Sequence, residues 1–171
     1  PFTFKKQELR NKVTSFAAQY LNVPLIYINQ VGANDNLIFD GNSFVLNKYG
    51  SKIKQLKSFS EDVSTWDINE IKLSTDEKES SELSSVFEAL VLGVRDYAKK
   101  CGFKTALIGL SGGIDSALVS AIATAALGHK NVFCLSMPSK WSSNHSKLDA
   151  KDLAKRLKIN LNTISIENLI E

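Results

Sequence analysis

The stretch from Thr105 to Leu127 limits the fold of this chain more than any other. Thr105 to Leu110 is a short apolar run and reads as a buried parallel strand. Ser111-Gly112-Gly113-Ile114-Asp115-Ser116 follows. Ala117 to Leu127 then places Leu118, Ala121, Ile122 and Ala125 at helical spacing. A strand, a glycine turn and a helix start together make an anion site. The helix start offers unpaired N–H groups and the positive end of its dipole, and Gly112 and Gly113 let phosphate approach the backbone. Ser111 and Ser116 add hydroxyl donors. The Asp115 carboxylate would repel phosphate unless Mg²⁺ lay between them.

The loop is neither of the common nucleotide loops. G-x-x-x-x-G-K-[ST] fails because Ile114 stands where its second glycine belongs and the next lysine is Lys130, and G-x-G-x-x-G fails as well. The serine-glycine-glycine-x-aspartate-serine pattern resembles the pyrophosphate loop of the N-type ATP pyrophosphatases. That group includes NAD, GMP and asparagine synthetases. The resemblance implies that the loop grips the β- and γ-phosphates of ATP while a substrate oxygen attacks the α-phosphate. The plain structural alternative is a glycine-rich connection with no ligand.

The chain has 171 residues, 43% of them hydrophobic, enough for one ordinary domain or two partial ones. Its net charge of +3 hides a pattern: residues 1–59 are basic, 60–82 strongly acidic and 83–171 basic again. No stretch has the density of Lys/Arg and aromatics expected of a nucleic-acid surface. There is no apolar run long enough for a membrane span, and the lysine-rich start is unlike a signal peptide. Cys101 and Cys134 give neither a disulfide framework nor metal spacing. They read as reduced structural thiols, Cys134 buried, which suits the cytoplasm.

Along the chain, residues 4–21 read as a helix with Leu9, Val13, Phe16, Ala17 and Tyr20 on one face. Pro24 to Ile28 reads as a buried strand and Asn29 to Asn36 as a polar loop. Leu37 to Phe39 is a short strand before an Asp40-Gly41 turn. Ser43–Leu46 and Lys52–Leu56 read as strands joined by Asn47-Lys48-Tyr49-Gly50, with a further strand over 61–68. Residues 70–85 are Ser/Glu-rich and read as a linker, running into a helix over 82–100. Strands over 105–110, 131–136 and 160–166 then alternate with helices over 116–127 and 146–157. That is the βαβαβ order of a doubly wound parallel sheet, with the glycine loop at the carboxyl end of its first strand. Asn144, Ser143 and Ser146 compete as caps for the second helix, and Ser146 with Asp149 fits a capping box. His129 reads as a helix-end or surface residue, and neither it nor His145 has a partner at metal spacing. Trp66 and Trp141 read as packing residues, with shielding of a nucleotide as the alternative for Trp141.

Two further segments narrow the resemblance. Leu107 to Leu118 and Met137-Pro138-Ser139-Lys140-Trp141-Ser142-Ser143 resemble the glutamine-dependent NAD synthetase family. So, independently, do Val23 to Gly32 and Phe39-Asp40-Gly41-Asn42-Ser43-Phe44, which look like the end of that family's nitrilase-like glutaminase domain. The resemblance implies an α/β chain made of two incomplete parts. Residues 1–69 would end a nitrilase-like α/β sandwich. Residues 86–171 would begin a doubly wound sheet of the adenine nucleotide alpha hydrolase-like kind.

It also implies the chemistry. ATP adenylates the carboxylate of deamido-NAD, pyrophosphate leaves, and ammonia drawn from glutamine displaces AMP. By position, Gly109, Leu110, Ser111, Gly112, Gly113, Ile114, Asp115 and Ser116 would bind ATP, with Asp115 on Mg²⁺. The 137–143 segment would pass near the adenosine. Lys6 would hold the glutamine carboxylate, against the plainer reading of Lys5-Lys6 as solvated surface. The family's Glu-Lys-Cys glutaminase triad has no counterpart in this sequence, so the stretch by itself is expected to be inactive. The partners implied are deamido-NAD, ATP and glutamine, with neither nucleic acid nor membrane, in a homo-oligomer. The competing readings are another N-type pyrophosphatase amidotransferase, or a non-catalytic nucleotide-binding or assembly module.

Overall fold

The structure, a computed structural model, describes residues 1–67 and 81–167. The chain divides into two compact units, Pro1–Gly93 and Val94–Glu171. The division falls within a helix, α2, which spans Glu82–Cys101.

The first unit opens with helix α1 (Lys6–Leu21), followed by strands β1 (Leu25–Tyr27), β2 (Val31–Asn34), β3 (Leu37–Asp40), β4 (Phe44–Leu46) and β5 (Lys52–Gln55). β1, β4 and β5 form an antiparallel sheet in that order, and β2 and β3 form a hairpin. The segment 29–36, expected as a loop, thus supplies a strand. Asn34 pairs with Leu37, and Asp35 takes a left-handed backbone (φ 50°) that closes the two-residue turn. β1 is an edge strand with Ile26 exposed, so it is not the buried strand its apolar composition suggested. Residues 61–67 form no strand, and the rest of that expected strand lies outside the described residues, as do residues 70–80 of the expected linker.

α1 turns its bulk outward. Leu9, Val13, Phe16 and Tyr20 are exposed, whereas Arg10 and Ala18 are buried. Ala18 packs on Phe44 and Leu46, with Leu25 and Tyr27 against them, and Tyr27 stacks on Phe44 at 5.0 Å. A methyl side chain lets the helix lie close to these rings, so the small face turns inward. A second cluster gathers Phe59, Ala89 and Leu92 with Phe2, Val31 and Ile38, which ties the first half of α2 to this unit.

The second unit holds β6 (Ala106–Gly109), α3 (Ile114–Leu127), β7 (Val132–Ser136), α4 (Asn144–Leu157) and β8 (Asn160–Thr163). The strands run parallel in the order β6-β7-β8, with Ile108 beside Cys134 and Cys134 beside Leu161. This is the βαβαβ order read from the sequence, with β8 shorter than expected. α3 and α4 both cover one sheet face, through Ala123, Ala150 and Ala154 on Val132 and Cys134. Leu107 and Phe133 alternate to the other face and are exposed. On α3 the buried residues are Ser120, Ile122 and Ala123. Leu118 is half exposed and Ala125 exposed, because the inward stripe is turned from the one their spacing marked. No described helix is long and apolar enough to cross a membrane.

Candidate functional site

The site is built on main chain. β6 ends at Gly109, Leu110 is buried in the core, and its N–H donates to the Leu135 carbonyl at 2.9 Å. The chain then leaves the sheet. Gly112 adopts φ +88°, a conformation that side chains resist, and Gly113 returns to extended backbone (φ −82°, ψ 161°) as the N-cap of α3. No side chain caps this helix. Ala117 N–H makes the first helical bond, to the Gly113 carbonyl at 3.1 Å. The N–H groups of Ile114, Asp115 and Ser116 therefore have no helical acceptor and face the carboxyl end of the sheet with the dipole behind them.

Ser111 and Ser116 shape the loop. Their hydroxyl oxygens lie 3.1 Å apart. Gly113 N–H donates to Ser111 Oγ (3.2 Å), Ser111 N–H to Ser116 Oγ (3.3 Å), and Ser116 Oγ–H to the Gly113 carbonyl (3.0 Å). The hydroxyls expected as donors to a ligand are thus also what folds the loop upon itself. Ser111, Gly113, Ile114 and Asp115 are exposed, and Asp115 stands in the first turn of α3.

A second helix start supports the loop from behind, which the sequence did not announce. A Cβ on Gly112 would lie 2.8 Å from the carbonyl carbon and 2.9 Å from the Cα of Ser146, in the first turn of α4. The N-cap of α4 is Ser143, whose Oγ accepts the Ser146 N–H at 3.1 Å, rather than the Ser146–Asp149 box. The signal was present as Ser143-x-x-Ser146, without the acidic residue that usually marks a box. From the neighbouring strand, Met137 reaches the base of the loop: its Cε would be 3.6 Å from a Cβ on Gly109. The segment expected near the adenosine and the loop expected to bind phosphate therefore meet. Trp141 within that segment is 81% exposed, with Lys140 Nζ 5.4 Å from its ring centroid, so it does not pack in a core.

The NAD synthase family profile matches residues 86–171, the half of the chain that carries this loop. The chain belongs to the NAD synthase family. Among its relatives, the glutamine-dependent NAD(+) synthetase of Synechocystis is 49% identical over 97% of this chain, and that of Rhodobacter capsulatus 42% identical over 98%. The chain spans about a third of the length of these relatives, 31% of each. The solved glutamine-dependent NAD+ synthetase of Acinetobacter baumannii, in complex with ADP, superposes with a TM-score of 0.92 at 35% identity, covering 99% of this chain and 33% of that one. The Cytophaga hutchinsonii synthetase, at 19% identity and a TM-score of 0.82, shares the fold over 99% of this chain and 35% of its own.

The remaining residues picked from the sequence of this NAD synthase family member are spread widely. Lys6 opens α1 and is half-buried, whereas its neighbour Lys5 is exposed with its ammonium 5.7 Å from the Phe4 ring centroid. Sequence reading missed what lies one turn on. Arg10 donates from Nη1 and Nη2 to the two oxygens of Asp40, at 2.6 and 3.0 Å, and both residues are buried. Burial works against the Arg10 cation, but the hydrogen bond and charge of Asp40 outweigh it and raise the guanidinium above its ordinary pKa. Cys134 is buried and Cys101 exposed, both as free thiols, so only Cys134 has the packing role expected of the pair. His129 lies in a single 3₁₀ turn after α3, and His145 in the first turn of α4. Among the described residues no group of three His, Cys, Asp or Glu could hold a metal.

Proposed function

We propose that the complete protein is a glutamine-dependent amide synthetase that adenylates deamido-NAD and aminates it to NAD, releasing AMP and pyrophosphate. The observation that carries this is the start of α3. It is an uncapped helix N-terminus at the carboxyl end of a parallel strand, reached through Gly112 in a conformation that presses main chain against the helix behind it. Such a start favours a polyanion over any neutral ligand. Membership of the NAD synthase family and likeness to a synthetase solved with ADP support ATP as that anion.

In this reading Gly109 to Ser116 bind the pyrophosphate end of ATP. The free N–H groups of Ile114, Asp115 and Ser116 point to where charge grows as the α-phosphate bond to pyrophosphate breaks. No side-chain nucleophile is needed, because the substrate carboxylate forms the new bond to phosphorus and ammonia later replaces AMP at the carbonyl carbon. A single exposed carboxylate such as Asp115 fits Mg²⁺, which takes one or two protein oxygens and fills its other positions with phosphate and water. When bound, that ion would neutralise charge on the leaving pyrophosphate. Lys6, at the half-buried start of α1, would receive the carboxylate of glutamine at the separate glutaminase site. Assembly as a homo-oligomer and residence in the cytoplasm, where both thiols stay reduced, belong to the same proposal.

The test is Asp115→Ala in the complete protein, assayed for NAD formation with ammonia as the nitrogen source. The turnover rate should fall roughly 10²- to 10³-fold, as when one charge-stabilising group is lost from a preorganised site. An unchanged rate would remove the loop assignment.

A further inference from the structure

α1 lacks the usual means of fixing its first turn. Its N-cap, Lys5, has a left-handed backbone (φ 62°) and makes no side-chain cap bond. The Lys6 N–H donates to the Thr3 carbonyl at 3.1 Å, and the start is held further from Arg10. Arg10 Nη2 reaches back to the Pro1 carbonyl at 3.2 Å, and Nη1 donates to Gln7 Oε1 at 3.2 Å. Both nitrogens grip Asp40, the last residue of β3. Asp40 Oδ1 also receives the Asn29 amide, from the segment after β1, at 3.0 Å. One buried ion pair thus gathers the opening segment, α1 and the ends of β1 and β3. The side chains of Arg10 and Asp40 are 7% and 6% exposed.

Stability is a poor reason for such a pair. Stripping water from two charges offsets most of what their attraction returns. Arg10 Nε is moreover buried with no partner, an unmade bond that counts against the folded state. What a bidentate guanidinium does supply is orientation, since its planar fork fits a carboxylate in one way. Lys6, Arg10, Thr14 and Ala18 recur at intervals of four and share one helix face, the face whose residues Arg10 and Ala18 are buried. Lys6 is the open end of that inward ridge. Asp40 neutralises Arg10, so a second cation four residues away is not opposed by it.

We propose that Arg10 and Asp40 are positioning residues that aim the Lys6 ammonium at the α-carboxylate of glutamine, and so set glutamine affinity. This rests on the reading of Lys6 given above. Neither Arg10 nor Asp40 touches substrate. Their effect is transmitted through the first turn of α1.

The experiment compares glutamine-driven and ammonia-driven NAD formation in the complete protein. Arg10→Lys keeps the charge but loses the fork. It should raise the KM for glutamine on the order of tenfold with little change in kcat, and leave the ammonia-driven rate unchanged. Asn29→Ala, a milder change on the strand side, should raise that KM roughly threefold. Lys6→Ala combined with Arg10→Lys should be no worse than Lys6→Ala alone, because the two act in series. An unchanged glutamine KM in Arg10→Lys, a proportional fall of both activities, or additive effects in the double variant would each overturn the proposal. If Lys6→Ala itself left glutamine KM unchanged, the Lys6 reading would fail first and take this inference with it.

Discussion

Helices α1 and α3 both begin without a side-chain cap, and they differ in what replaces it. At α3 the replacement is nothing at all: Gly113 leaves the first N–H groups open, and the loop before them is glycine and serine. At α1 the Lys6 N–H donates to the Thr3 carbonyl at 3.1 Å, and a buried ion pair joining residues thirty positions apart in sequence ties the first turns to β3. The first arrangement leaves binding capacity on the main chain. The second spends polar groups on holding the chain in place. An uncapped helix start is therefore not by itself a binding site. What decides is whether its donors remain open, and what the surrounding side chains are engaged in doing.

The largest effect that would break this contrast is expected at Asp40. Asp40→Ala leaves the Arg10 charge buried and unpaired, and should lower stability by about 3–5 kcal/mol. The double change Arg10→Met with Asp40→Leu removes both charges and fills the space with apolar volume, and should come out close to neutral. Urea unfolding of the complete protein followed by fluorescence distinguishes the two. If the double variant were as unstable as Asp40→Ala, the pair would be a source of stability, and its assigned role in positioning would lose its physical basis.

The loop end of the contrast is tested at its two glycines. Gly112→Ala forces a side chain into φ +88° and against the main chain of Ser146. The conformation costs about 1–2 kcal/mol and the crowding about 1–3 kcal/mol, so a loss of about 2–5 kcal/mol is expected, with ATP-dependent synthesis falling as well. Gly113→Ala meets only the Ser111 hydroxyl at 3.4 Å, in backbone any residue adopts, and should cost less than about 1 kcal/mol. Equal effects at the two positions would mean that the first turn of α4 yields, and that it does not brace the loop.

These positions also explain what was legible beforehand. The strand, glycine-serine loop and helix start could be read because their signals lie in contiguous residues: Ser111 to Ser116 carry glycine, hydroxyl and carboxylate in one run, and the strand and helix around them have distinct periods. The strands and helices of the second unit followed from the same periodicity. α1 was recognisable as a helix, but its inward face was not. Leu9, Val13, Phe16 and Tyr20 mark an apolar stripe, while the face that lies against Phe44 and Leu46 is chosen by the smallness of Ala18 and by the reach of Arg10 to Asp40. A pairing across thirty residues leaves no periodic trace. β2 was hidden for a similar reason: Val31-Gly32-Ala33-Asn34 has little strand character alone, and is made a strand by its partner β3. The brace behind Gly112 could not be seen either, because it is the backbone of Ser146, not a side chain, that fills the space.

The smallest effect is the sharpest test, because stability and binding should move in opposite directions. Gly113 has the extended backbone that a serine N-cap adopts, and in α4 Ser143 shows the result, its Oγ taking the N–H of the residue three further on at 3.1 Å. Gly113→Ser should therefore cap α3 and stabilise the chain by a few tenths of a kcal/mol, the usual difference between serine and glycine at this position. The N–H it captures, from Asp115 or Ser116, is one that the proposed function assigns to phosphate. The KM for ATP should then rise roughly threefold, the equivalent of one modest hydrogen bond. A variant that gained stability with its ATP KM unchanged would show that phosphate does not use those N–H groups. α3 and α1 would then differ only in how they are held, and the open helix start would no longer carry the functional reading.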